Sequence, residues 1–159
     1  MNKKNSYIHW DDKFVVGVPL IDQQHLRLMN IINDLYQLCD NESGSVNPYL
    51  IECSWETLAY LRHHFSTEEK LMLLLGFPGY RDHKTEHDAF IENLLNQYRQ
   101  FSLGEKGVSE KFVHMLKEWL LTHIINFDKE MANFFLGSQY YEKMHQLFSR
   151  RMEWSYQFT

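Results

Sequence analysis

Five histidines and two carboxylates in this chain have the chemistry and the spacing to hold metal: His25; His64 with Glu68; His83 with His87; and His123 with Asp128. His123 stands in a strongly apolar run, W-L-L-T-H-I-I-N-F-D at residues 119–128. A buried imidazole beside a buried carboxylate is costly unless something pairs with both. A metal ion would do that. The four-residue spacing of His83 and His87 puts both imidazoles on one helical face, where they can chelate one ion. His64 and Glu68 share that spacing. Taken alone, either pair is weak: random histidines four apart are common, and a histidine with a nearby glutamate can be a surface hydrogen bond. A single histidine on an apolar face, such as His25, is more often a satisfied core residue. The set is stronger than its parts. Seven donors exceed the four that a closed zinc site takes, and they suit two metals sharing bridging carboxylates. An imidazole-rich, carboxylate-bridged set without thiolate suits iron.

Four helices must position these groups. Ile21, His25, Leu28, Ile32, Leu35 and Cys39 step by three or four, which predicts a helix over 19–38. Pro19 suits its first turn, and Asp22 favours its positive end. Asn47-Pro48 reads as a cap followed by proline at the first helical position. Ser54, Leu58, Leu61, Phe65, Glu68, Met72 and Leu75 continue that second helix up to the breaker Gly76-Phe77-Pro78-Gly79. A third helix, 81–101, carries the stripe His83, His87, Phe90, Leu94, Tyr98 and Phe101. Ser109 is the expected cap of a fourth, with Phe112, Leu116, Leu120, His123, Phe127, Met131 and Phe134 in step up to Gly137. Short loops between amphipathic helices predict an all-α, up-down-up-down antiparallel four-helix bundle. Alternating directions then bring the four ligand levels together. Residues 1–18 have no helical period and read as an extended apolar arm, giving one domain over 1–136. Residues 137–159 read as a C-terminal extension, helical through Tyr141, Met144, Phe148 and Met152, and able to support an oligomer.

His123 and Asp128 are five apart, about 140° on a straight helix. Two ligands of one cluster prefer one face. The spacing therefore predicts a π-type turn between them, or an Asp128 that approaches from the helix flank.

Composition excludes several classes. A chain of 159 residues suits one domain. The formal charge of −5 argues against nucleic acid as a partner. Cys39 and Cys53 are too few for a disulfide framework and lack thiolate metal-site spacing. No apolar run reaches a membrane span. The N-terminus lacks the apolar stretch of a signal peptide, so a cytoplasmic location is expected. Among the nine histidines, His9, His63, His114 and His145 have no ligand geometry and read as surface or structural groups.

Four stretches, W-D-D-K-F-V-V-G-V-P-L-I-D-Q-Q-H, H-F-S-T-E-E-K-L-M, H-K-T-E-H and W-L-L-T-H-I-I-N-F-D, occur in that order over about residues 10–135. In this order they resemble the hemerythrins, specifically the single-domain bacterial type. The resemblance implies a non-haem di-iron centre that binds dioxygen. By it, His83, His87 and His123 hold one iron. His25 and His64 hold the other, which keeps an open position. Glu68 and Asp128 bridge the pair, with a solvent-derived oxo or hydroxo group. Leu28, Phe65, Trp119, Leu120 and Ile124 lie one to four residues from a ligand and should line the open iron, excluding water and protons. Five neutral imidazoles with only two carboxylates leave the irons less electron-rich than a glutamate-rich ferritin-like site. That favours reversible dioxygen binding for carriage, storage or delivery over turnover. The competing readings are an oxygen or redox sensor, and a di-iron oxidoreductase acting on peroxide, nitric oxide or ferrous iron.

Overall fold

Each helix begins and ends where local chemistry requires. A computed structural model describes residues 6–39, 48–102, 108–139 and 141. Helix α1 spans Pro19–Cys39. The Asp22 carboxylate accepts hydrogen bonds from the backbone N–H groups of Val16 (2.8 Å) and Gly17 (3.0 Å), which locks the arm to the first turn. Helix α2 spans Pro48–Leu75 and closes in a Schellman motif. Gly76 takes the left-handed conformation at φ 70°. Phe77 N–H bonds Met72 C=O at 2.9 Å, and buried Phe77 and Met72 supply the apolar contact that accompanies this cap. Helix α3 spans Tyr80–Ser102.

The fourth arm of the bundle has three segments. Helix α4 spans Val108–His123, a π turn spans Ile124–Asp128, and helix α5 spans Lys129–Leu136. Ser109 therefore lies inside the first turn of α4 and is not its cap; the helix starts one residue earlier. Asn47 and the tail stripe at Met144, Phe148 and Met152 lie outside the described residues.

The helices form a ring: α1 packs on α2 and α4, and α3 on α2 and α4. With short connections this is the up-down-up-down antiparallel bundle, and no strand occurs among the described residues. The core runs down its axis through Ile21, Leu28, Ile32, Leu61, Phe65, Met72, Phe90, Leu94, Leu116 and Leu120. No described helix is long and apolar enough to cross a membrane.

The N-terminal arm is part of this packing. Asn33 on α1 pins it, accepting from Ile8 N–H at 2.7 Å and donating to Ile8 C=O at 2.9 Å. Tyr7 stacks on Tyr36 with ring centroids 3.9 Å apart. Ile8, Phe14, Val16 and Val18 are buried. A short 3₁₀ turn, Asp12–Phe14, breaks the extended run and packs against the π turn. The arm thus braces the segment that carries Asp128.

The stripe expected on the fourth helix holds through His123 and again at Met131, but not at Phe127 and Phe134. Phe127 is only half-buried and Phe134 is 37% exposed, whereas Asp128, Met131, Ala132 and Phe135 are buried. The π turn inserts one residue into the helical count, so the buried face moves on by one position.

Candidate metal centre

Each bundle helix delivers donors to one level of the core. α1 supplies His25, α2 His64 and Glu68, α3 His83 and His87, and the last residue of α4 is His123. Asp128 closes the π turn. All seven side chains are buried, none more than 2% exposed. The structure thus brings together every predicted ligand position.

The π turn is what allows Asp128 to join. Lys129 N–H bonds Ile124 C=O, five residues back. That wider turn returns a residue five positions on toward the same face, where a straight α-helix would leave it about 140° away.

The donor atoms form two groups linked by both carboxylates. Glu68 Oε2 lies 3.2 Å from His87 Nε2 and 3.7 Å from His83 Nε2. Its Oε1 lies 3.4 Å from His64 Nε2 and 3.8 Å from His25 Nε2. Asp128 divides in the same way. Oδ1 is 3.1 Å from His123 Nε2 and 3.2 Å from His83 Nε2, and Oδ2 is 3.1 Å from His25 Nε2. One group is therefore three imidazoles plus one oxygen from each carboxylate. The other is two imidazoles plus the remaining two oxygens. Separations near 3 Å are the edges of a coordination shell whose metal–ligand bonds are about 2.1 Å.

Hydrogen bonding within the cluster accounts for only part of this geometry. His123 Nε2 lies 3.0 Å from His83 Nε2 and 3.1 Å from His87 Nε2. A ring nitrogen offers either one proton or one lone pair, so it cannot satisfy both. Both oxygens of Glu68, both of Asp128, and Nε2 of His25 and of His64 make no hydrogen bond among the described residues. Buried polar atoms left in this condition cost 1–3 kcal/mol each, by a rough rule, and more when charged. Cations between the donors remove that cost, so the residues fit a metal centre.

The electrostatics agree. Burial pushes the His64 imidazole down to about 4, against the pull of Glu68. Its Nδ1–H donates to Gln24 Oε1 at 2.9 Å, which leaves the Nε2 lone pair free for the centre. Gln24 is oriented in turn by Thr67, whose hydroxyl accepts from the Gln24 amide at 3.3 Å and donates to His63 C=O at 3.0 Å. Burial lowers His25 and His83 too, but Asp128 and Glu68 outweigh it and raise both to about 9. Burial would raise the two carboxyls, yet the surrounding imidazoles hold both well below the usual carboxylate range. Without a cation, protons on His25 and His83 balance the two carboxylates. Metal binding displaces them.

Aromatic rings clamp the three-imidazole group. Phe65 stacks on His87 with centroids 3.9 Å apart and also lies 5.7 Å from His64. Trp119 stacks on His123 at 4.3 Å and on Phe90 at 3.8 Å. Of the expected lining residues, Leu28, Leu120 and Ile124 are fully buried in the core. Trp119, also expected in the lining, is half-buried and lies against His123.

Two partners escaped the sequence reading. Gln24 precedes the ligand His25 but bonds His64, and Glu69, next to Glu68, accepts from His87 Nδ1–H at 3.2 Å. Their placement beside a ligand in the sequence was the only signal. Of the other histidines, His9, His63 and His114 are exposed, and His145 lies outside the described residues.

Comparison with known proteins follows the geometry. The family model for the Hemerythrin HHE cation binding domain matches residues 16–134. The chain is 32% identical over 124 residues to a bacteriohemerythrin of Stenotrophomonas maltophilia, covering 78% of each chain. It is 29% identical to a bacteriohemerythrin of Clostridium acetobutylicum, covering 76% of this chain and 95% of that one. Among solved structures, a hemerythrin with one leucine replaced by alanine superposes with a TM-score of 0.74 at 22% identity, covering 81% of this chain and 97% of its own. Wild-type hemerythrin gives 0.72 at 23% identity, covering 80% and 96%. At these identities the likeness to solved structures bears on the fold.

Proposed function

We propose, from the premise that the chain belongs to the hemerythrin family, that it binds dioxygen reversibly at a non-haem di-iron centre and serves as an oxygen carrier, store or delivery protein. The observation that carries this reading is the unequal division of donors. His83, His87 and His123 would hold one iron and His25 and His64 the other, with Glu68 and Asp128 shared by both. The two-imidazole side has one protein donor fewer, which leaves room for a small ligand.

When bound, the two ferrous ions would supply the electrons that hold dioxygen. The chain does the rest. Glu68 and Asp128, both buried, would hold the two ions together. Neutral imidazoles keep the total charge low. Leu28, Phe65, Leu120 and Ile124, all buried, exclude water and proton donors from the site. The ring of Trp119 fixes His123 from its face.

The test is an anaerobic-to-aerobic optical titration of iron-loaded protein with iron counting. About two irons per chain and one dioxygen per pair are expected. A visible charge-transfer absorption should appear with oxygen, vanish when oxygen is removed, and survive several cycles. Protein that oxidises irreversibly on first exposure, with no recoverable absorption, would overturn the carrier reading and favour an oxidoreductase.

A further inference from the structure

Five imidazoles present Nε2 to the centre, but their outward nitrogens differ. The Nδ1 atoms of His25, His83 and His123 are buried and make no hydrogen bond among the described residues. His64 donates to a neutral, buried amide, Gln24. His87 alone donates to a carboxylate, that of Glu69. Glu69 also differs in its exposure. Its side chain is 22% exposed and forms part of the wall of a groove of about 430 Å³ between α2 and α3. Its other oxygen lies 3.8 Å from the Lys84 ammonium, which is anchored on Asp88 at 2.7 and 2.9 Å.

We infer that Glu69 is a positioning residue that sets the electron-donating strength of His87, and that Lys84 moderates it from the surface. This rests on the di-iron reading. A carboxylate accepting from the outer N–H of a ligand imidazole fixes its tautomer and makes its inner nitrogen more basic. Phe65 lies flat against the same ring, so the plane of His87 is held from its face while Glu69 holds its edge. A more basic His87 stabilises the higher charge of an oxidised ion. Lys84 withdraws part of the negative charge that Glu69 supplies. The three-imidazole side thus carries a redox bias that originates at a solvent-facing pair, one hydrogen bond from the ligand.

Three variants of the full chain test this: Glu69→Ala, Glu69→Gln and Lys84→Met. Two quantities are read: ferrous-ion affinity by competition with a chelator, and reduction potential by optical spectroelectrochemistry. Glu69→Ala should weaken affinity roughly 10- to 100-fold, the usual effect of losing an outer partner. Glu69→Gln should recover most of that affinity, because its amide oxygen still accepts from Nδ1–H, but should raise the potential by removing the charge. Lys84→Met should lower the potential and leave affinity intact. Opposite signs for Glu69→Gln and Lys84→Met are the signature that a merely structural role cannot produce. Iron-loaded wild type with both variants at an unchanged potential, or shifted in one direction, overturns this inference alone. Wild type that retains no iron overturns the di-iron reading and this inference with it.

Discussion

Replacing Asp128 by asparagine removes a charge while keeping the shape of the side chain that touches three imidazoles. Its oxygens lie 3.1 Å from His25, 3.2 Å from His83 and 3.1 Å from His123. In metal-free protein the carboxylate is the main support for protonated His25 and His83, each raised from 6.5 to about 9 against burial. That rise corresponds to about 3 kcal/mol for each imidazole. The folded value exceeds the unfolded one, so this stability is fully present below about pH 6.5. It is lost as pH rises through about 9. Glu68 supports the same two imidazoles, so the contributions overlap and Asp128→Asn should remove only part. The expected cost at pH 6 is roughly 2–4 kcal/mol, falling toward zero by pH 10. Urea denaturation of chelator-treated wild type and variant at both pH values measures it directly. An equal loss of stability at pH 6 and pH 10 would show that Asp128 acts by packing and not by charge, and would refute the reasoning.

Other substitutions probe other layers. His123→Ala should lose iron and lower the melting temperature, since metal bound to the folded state at 100 times its dissociation constant adds about 2.7 kcal/mol; an unchanged iron count in metal analysis would contradict the donor assignment. Leu120→Ala, which opens space for water, and Leu120→Asp, which adds a proton source, should both speed oxidation to the diferric form without loss of iron, followed by absorbance against time in air. Gln24→Ala should free the His64 tautomer and weaken metal affinity roughly 10- to 100-fold, as read by chelator competition. Inserting one alanine after Asn126 should turn Asp128 and everything after it by about 100°, losing metal and exposing Met131 and Phe135, with dye binding and iron content as the readouts.

The bundle was legible because its helices obey one period. Ile21, His25, Leu28, Ile32 and Leu35 on α1 are all buried, and so are His83, His87, Phe90 and Leu94 on α3. The fourth helix shows where the method stopped. The five-residue step from His123 to Asp128 pointed to a π turn or a flanking approach, and the π turn is there. The apolar stripe beyond it was still drawn on a straight helix, so Phe127 and Phe134 stood in for Asp128 and Phe135. A local distortion moves every later residue, and the pattern after it must be read from a new origin. Glu69 and Gln24 were illegible for another reason. Each meets a ligand from a different helix, and such pairs depend on how far neighbouring helices slide past one another. Periodicity along one chain segment carries no record of that offset. The stacking of Trp119 on His123 depends on the same kind of offset, since Phe65 and Phe90 meet its ring from across the bundle.

The inequality between the two donor groups has a simple origin in the helices themselves. α3 carries two histidines four apart, and His123 with Asp128 adds two donors from the fourth arm. On α1, His25 stands alone. The positions one turn either side of it are Ile21, Leu28 and Met29, all buried and all without a strong donor. A helix with a second histidine there would fill the shell on that side, as α3 does on its own. The apolar neighbours instead leave that side with one protein donor fewer. On the proposed di-iron reading, the residues that complete the core would also leave a position there for a small external ligand.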